Sequence, residues 1–308
     1  MDMRRRIIKQ GNNSYTLTLP INWIREEKLD QGGEVEVEQE DSHLAISIPK
    51  DLRRRESAIT LEIKDYNERT VRNILNQAYR KGYDKIIINN PNEKQFEDIR
   101  EITRNTLLGF EIIREEKNCV VQKIAEPTGE NFDAILRKIF FYIADDSQEI
   151  MQEFQNKKYD LKKRVYNKNI VDNYTNLCRR LVIKERIGGS KNSYFMFEIV
   201  SRLSLIYHAY YYMYKYASEK KLSPSKETLK ILSEANEMFG IFHEAFYSKD
   251  LDKAHKLGVI KDKLYQELYT LFGKIKGPEN VMLYHIGEII RLTHMQSTNI
   301  FGLIEFKS

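Results

Sequence analysis

The sequence predicts a multidomain α and β chain: a small N-terminal β-module, a central α/β module of order βαβαββ, and an all-α C-terminal region of two three-helix bundles. Three observations carry this. Apolar residues recur with period two up to about Pro49, strand and helix periods alternate from there to about residue 126, and only helical periodicity remains beyond. A length of 308 residues is too great for one ordinary core, and the boundaries fall at 1–52, 56–126 and 129–308, the last dividing at about 129–221 and 224–308.

In the first module Tyr15, Leu17 and Leu19 fall on one face and Thr16 and Thr18 on the other, after which Pro20 opens a short helical stretch with Trp23, Ile24 and Leu29. Gly32 and Gly33 end that stretch. Val35 and Val37 then alternate with Glu34, Glu36 and Glu38, and Leu44, Ile46 and Ile48 return after a turn at Asp41 and Ser42. A unit of roughly fifty residues closes a core poorly on its own, so its apolar faces are expected to close against a second copy, making a homodimer.

"DLRRRES" at 51–57 is a charged connector. "AITLEI" and "KIIIN" follow as strands, with a helix between them capped by Asn67, presenting Val71, Ile74, Leu75 and Ala78 inward and ending at Gly82. A second helix over 92–107 turns Phe96, Ile99, Ile102 and Thr103 to one side, and the strands "FEIIRE" and "CVVQKIA" complete the module. The turn "NNPNEKQF" lacks the glycines of a phosphate cradle, which leaves the module as a scaffold or as the seat of a small effector site.

Six amphipathic segments then run over 131–155, 160–186, 191–221, 225–248, 250–276 and 279–304, joined by short polar connections that force antiparallel neighbours. "EIVSRLSLIYH" late in the third echoes "GEIIRLTHMQS" late in the sixth, which groups the helices three and three. Tyr207, Tyr210, Tyr211 and Tyr214 form one helical stripe, the spacing of a bundle core and not of a base-stacking platform.

The chain is 41% hydrophobic and 31% charged with a mean hydropathy of -0.57, which points away from a membrane protein. No apolar run follows the basic start as a signal peptide requires, and two cysteines, Cys119 and Cys178, make no disulfide framework, so a cytoplasmic location is expected and both thiols read as small buried hydrophobes. No nucleophile with a base, phosphate loop or paired-carboxylate motif indicates an enzyme, and no cofactor is implied.

A net charge of +5 permits nucleic-acid binding, and its distribution favours it. Arg4, Arg5, Arg6 and Lys9 form a basic edge on an otherwise acidic module, followed by Asn12, Asn13 and Ser14 in a turn. Such cations neutralise phosphates, and such amides and hydroxyls bond base edges or backbone. The competing reading is an edge strand kept soluble by its charges.

"RRRIIKQGNNSYTLTLPINWIREEKLDQGGEVEVEQEDSHLAISI" resembles the SpoVT/AbrB-type swapped-hairpin DNA-binding domain over residues 4 to 48. The resemblance implies an intertwined homodimer on double-stranded DNA, with Arg4, Arg5, Arg6, Lys9, Asn12, Asn13 and Ser14 as contacts; the Asn-Asn pair stands where relatives often have Gly or small residues. The three-part layout is similar to archaeal proteins resembling PhoU, the phosphate uptake regulator, and implies a transcription regulator linked to phosphate uptake, with a phosphate transporter or signalling protein as a further partner. The alternatives are a PhoU-like protein repressing a transporter or kinase by direct contact, or a metal-binding helical bundle. The positions matching the acidic metal motif of that family hold Ser201 with Leu205 and Ile290 with His294. Asp145, Asp146, Glu198, Glu237, Glu288 and His208 form no substitute motif, so no metal site is expected and these side chains read as helix surface or polar core.

Overall fold

The computed structural model describes residues 4–29, 32–40, 42–49, 56–64, 66–125 and 127–304. Two compact units meet in sequence between Glu56 and Ser57. The expected turn residue Asp41 and most of the connector at 51–57 lie outside the described residues.

The first unit holds two antiparallel hairpins and a short helix. β1 (Ile8–Gln10) pairs with β2 (Ser14–Thr16), α1 (Ile21–Glu26) follows Pro20, and β3 (Glu36–Glu40) pairs with β4 (His43–Ser47). The strand expected to run from Tyr15 to Leu19 stops pairing at Thr16, because its partner within the chain offers only three residues, and Pro20 then has no N–H to give a ladder.

In the second unit β5 (Ala58–Leu61), α2 (Glu68–Arg80), β6 (Lys85–Ile88), α3 (Glu93–Thr106), β7 (Phe110–Glu115) and β8 (Asn118–Lys123) realise the βαβαββ order. The sheet runs β5-β6-β8-β7, with β5 parallel to β6 and the other pairings antiparallel. Asn67 caps α2 by accepting from Thr70 N at 3.0 Å; Asn92 and Gln95 close a capping box on α3, with backbone-to-side-chain distances of 2.9 and 2.8 Å. Val71, Leu75 and Tyr79 of α2 and Ile99 and Ile102 of α3 bury themselves with Ile86, Ile88, Cys119 and Val121 of the sheet.

A 3-10 turn (Gly129–Asn131) leads into α4 (Phe132–Asn156), α5 (Leu161–Glu185), α6 (Gly189–Lys220), α7 (Lys226–Ser248), α8 (Leu251–Lys274), α9 (Glu279–His294) and α10 (Gln296–Leu303). Asp160, Ser225 and Asp250 cap α5, α7 and α8 through side-chain oxygens. Lys157, Arg186, Lys221 and Lys249 end α4 to α7 in the left-handed region, φ 50 to 55°, without the glycine that usually marks such stops. The helix expected over 279–304 is interrupted at Met295, next to which Ser297 Oγ donates to the His294 carbonyl at 2.8 Å.

Chain order groups α4 to α6 and α7 to α9, yet one apolar core runs through both groups. Phe140 of α4 sits among Phe239, Phe242 and Phe246 of α7, with ring centroids 5.2 to 5.9 Å apart. α6 and α9, which carry the echoed segments, pack side by side, and their matching Leu203 and Leu292 are both buried. The α/β module rests on α5 through α2 and α3 within this unit.

Candidate nucleic-acid interface

The N-terminal hairpin places the predicted contact residues in two groups. Gly11 takes φ +73°, a left-handed conformation that lets the chain reverse between β1 and β2 and holds Asn12 and Asn13 exposed at the tip. Ser14 opens β2 with its hydroxyl donating to the Gln10 carbonyl, which pins the turn, and Thr16 Oγ1 donates to the Ile8 carbonyl at 3.3 Å. Lys9 lies opposite Tyr15 in the register and shares its face of the hairpin. Arg4, Arg5 and Arg6 precede β1 as an exposed segment without regular structure. The turn thus gathers Asn12, Asn13 and Ser14, and the arginines lead in at the other end of the strand.

Charge is segregated across this unit. Glu34, Glu36 and Glu38 are exposed on the second hairpin and its approach, while the cations lead the first. An oxyanion polymer meets attraction at one part of the module and repulsion at the other, which orients it before any specific contact forms.

Among the described residues of this module not one is buried. Tyr15 and Leu44 are each 64% exposed, and Ile7, Ile8, Leu17 and Val37 are exposed as well. Leu17, Leu19, Pro20, Trp23, Leu44 and Ile46 line an open apolar cleft of ≈ 290 Å³, with Arg5 at its edge. Sequence reasoning assigned these positions to strand faces and helix but not to a cleft, since a concavity depends on how the two hairpins and α1 meet. Residues 8–44 match the model of the family described as Antidote-toxin recognition MazE, bacterial antitoxin. That span runs from β1 to the second residue of β4 and supports an N-terminal swapped-hairpin DNA-binding module of the MazE/AbrB kind. No curated protein and no solved structure matches the chain.

Most of the other acidic and histidine residues singled out in the sequence have structural partners. Asp146 meets the Arg164 guanidinium, accepts from Asn167 Nδ2 at 2.6 Å and from Tyr207 Oη at 2.5 Å, and is buried between α4, α5 and α6. Burial raises its pKa despite these partners. Glu149 and Glu153 of α4 accept from the same guanidinium at 2.9 and 2.6 Å. Glu198 pairs with Arg202, Glu288 with Arg291, and His208 Nε2 lies 2.8 Å from Asp172. Asp145 and Glu237 are exposed. Among the described residues no three or more His, Cys, Asp or Glu side chains are grouped to hold a metal ion. Of the expected tyrosine stripe, Tyr207, Tyr210 and Tyr214 are buried in the helical core and Tyr211 is half-buried against it. Cys119 and Cys178 are free and buried, and burial pushes the Cys119 thiol up to about 12. No helix among the described residues is long and apolar enough to cross a membrane.

Proposed function

We propose that the chain is a homodimeric transcription regulator that binds double-stranded DNA through Arg4, Arg5, Arg6, Lys9, Asn12, Asn13 and Ser14, and that it is not an enzyme. The observation that carries this is a basic, exposed lead-in and turn on a module that leaves its apolar residues uncovered. A second copy covers the apolar residues and doubles the cations presented to phosphate. The helical region receives the signal, and the likeness of the three-part layout to PhoU-like regulators supports a link to phosphate uptake. An event at the helices alters DNA affinity only by favouring one dimer geometry, so effector and operator bias each other reciprocally.

The test is the salt dependence of DNA binding by the full chain. Arg4→Ala, Arg5→Ala and Arg6→Ala together remove about six cations per dimer and lower the log-log salt slope by several units, at about 0.9 per phosphate contact. Asn12→Ala and Asn13→Ala weaken preferred sequences while leaving the slope in place, because they remove neutral hydrogen bonds. A salt slope unchanged in the triple variant overturns the assignment and leaves repression by protein contact as the remaining reading.

A further inference from the structure

Arg80, which ends α2, and Arg179 of α5 converge on one neutral acceptor. Arg80 Nε and Nη2 donate to Asn176 Oδ1 at 2.9 and 2.6 Å, and Arg179 Nη1 reaches the same oxygen at 3.4 Å. Arg179 also donates to Ser201 Oγ at 3.1 Å and to the Ser201 carbonyl at 3.2 Å on α6. Asn176 is fixed in turn, its Nδ2 donating to the Thr106 carbonyl at 3.1 Å and to Asn76 Oδ1 at 3.4 Å.

The pair has no carboxylate counter-charge within ion-pair distance among the described residues. Asp172, whose field reaches both guanidinium groups, is held by Lys168 Nζ at 2.5 Å and His208 Nε2 at 2.8 Å. Among the described residues the two fully buried arginines are treated differently: Arg164 meets Asp146, Glu149 and Glu153, and Arg180 meets Asp84. Arg179 is only 7% exposed, and burial, then the neighbouring charge of Arg80, pulls its pKa down to about 10. Two cations desolvated side by side over a neutral amide are costly until an anion joins them.

We propose that Arg80 and Arg179, seated on Asn176 between α2, α5 and α6, bind a phosphoryl oxyanion, either inorganic phosphate or the phosphate of a small molecule. Two guanidinium groups arriving from different helices suit a tetrahedral anion, and their two charges suit a dianion better than a single carboxylate. A bound dianion removes the repulsion between α2 and α5 and stiffens the seam that holds the α/β module on the helices. The site lies within residues 57–308 and its test contains no DNA, so its failure and that of the DNA reading are separate events.

The test is titration calorimetry of the full chain at constant ionic strength with inorganic phosphate, ribose 5-phosphate and acetate. Saturable binding of about one phosphate per chain is expected, weakened at least about tenfold by Arg80→Gln and by Arg179→Gln, and unchanged by Arg69→Gln, which is exposed in the first turn of α2. Binding of ribose 5-phosphate alone, lost in the same variants, supports the site and assigns it to a carried phosphoryl group. If Arg179→Gln does not fold, Arg80→Gln decides, since Arg80 is half-buried at a helix end. No saturable binding of either phosphate probe up to about 10 mM, equal binding of acetate, or binding that survives Arg80→Gln overturns the proposal.

Discussion

Asp84, just before β6, and Arg180 of α5 join the α/β module to the helices: Arg180 Nη2 donates to Asp84 Oδ1 at 2.8 Å, while Nη1 donates to the carbonyls of Tyr79 and Tyr83, each at 2.8 Å. Lys184 Nζ at 2.6 Å and Lys123 Nζ at 3.2 Å also meet the carboxylate, and Ser57 donates to its Oδ2 from the backbone N–H at 3.3 Å and from Oγ at 3.2 Å. Burial acts to raise the Asp84 pKa, and Lys184 and Lys123 outweigh it, holding the carboxyl at about 2. A folded pKa below the unfolded value of about 3.9 means that this contribution, about 2 kcal/mol, is present above pH 4 and is lost as pH falls toward 2. Asp84→Asn is expected to destabilise the chain by about 3 to 5 kcal/mol at pH 7, because the buried carboxylate that Arg180, Lys184 and Lys123 share is lost, and to flatten the acid limb of the stability profile. Urea unfolding of both proteins between about pH 2 and 7 reads both effects.

The network around Arg164 makes the opposite demand. Arg164→Met leaves Asp146, Glu149 and Glu153 facing one another on α4 without their shared cation. A loss of about 3 to 5 kcal/mol at neutral pH is expected, shrinking as the solution is acidified and the carboxylates take up protons. Thermal melts that show the same deficit at acid and neutral pH would contradict the electrostatic account and leave lost packing as the cause.

The uncovered apolar residues of the N-terminal unit predict self-association. The full chain is expected to sediment as a dimer, and Leu17→Asp with Val35→Asp to shift it toward monomer, because two charges would enter the shared apolar contact. A wild-type chain that stays monomeric at micromolar concentration would remove the second copy from the DNA-binding scheme.

Metal content gives a separate check on the helical region. Leu205 and Ile290 offer no donor atom, and Asp146, Glu198 and Glu288 are already engaged with arginines. Protein purified without chelator is expected to carry well under one iron or zinc per chain, with a melting temperature unmoved by EDTA. Elemental analysis showing stoichiometric metal together with a chelator-sensitive melting temperature would refute this.

The order of elements was legible because local chemistry sets it. Period two and period 3.6 separate strands from helices, Asn67 announces the start of α2, and the tyrosine stripe on α6 places Tyr207, Tyr210 and Tyr214 in the core with Tyr211 half-buried beside them. The basic lead-in at Arg4 to Arg6 and the Asn12-Asn13 turn were equally plain, being contiguous in sequence. The left-handed stops at Lys157, Arg186, Lys221 and Lys249 were not, since lysine and arginine carry no signal for that conformation.

Only the tertiary structure decided which distant residues meet. Arg180 reaches Asp84 across 96 positions and Arg80 reaches Asn176 across 96, and neither pairing follows from any periodicity, because which arginine finds a carboxylate depends on how α2 and α5 pack. The same holds for the core that runs from Phe140 to Phe246 through both groups of helices, and for the cleft between Leu17, Trp23 and Ile46. Sequence by itself set the elements, their caps and the charge along the chain through interactions a few residues long. The buried ion pairs, the doubled cation at Asn176 and the continuity of the core came from long-range packing, whose partners no local pattern names.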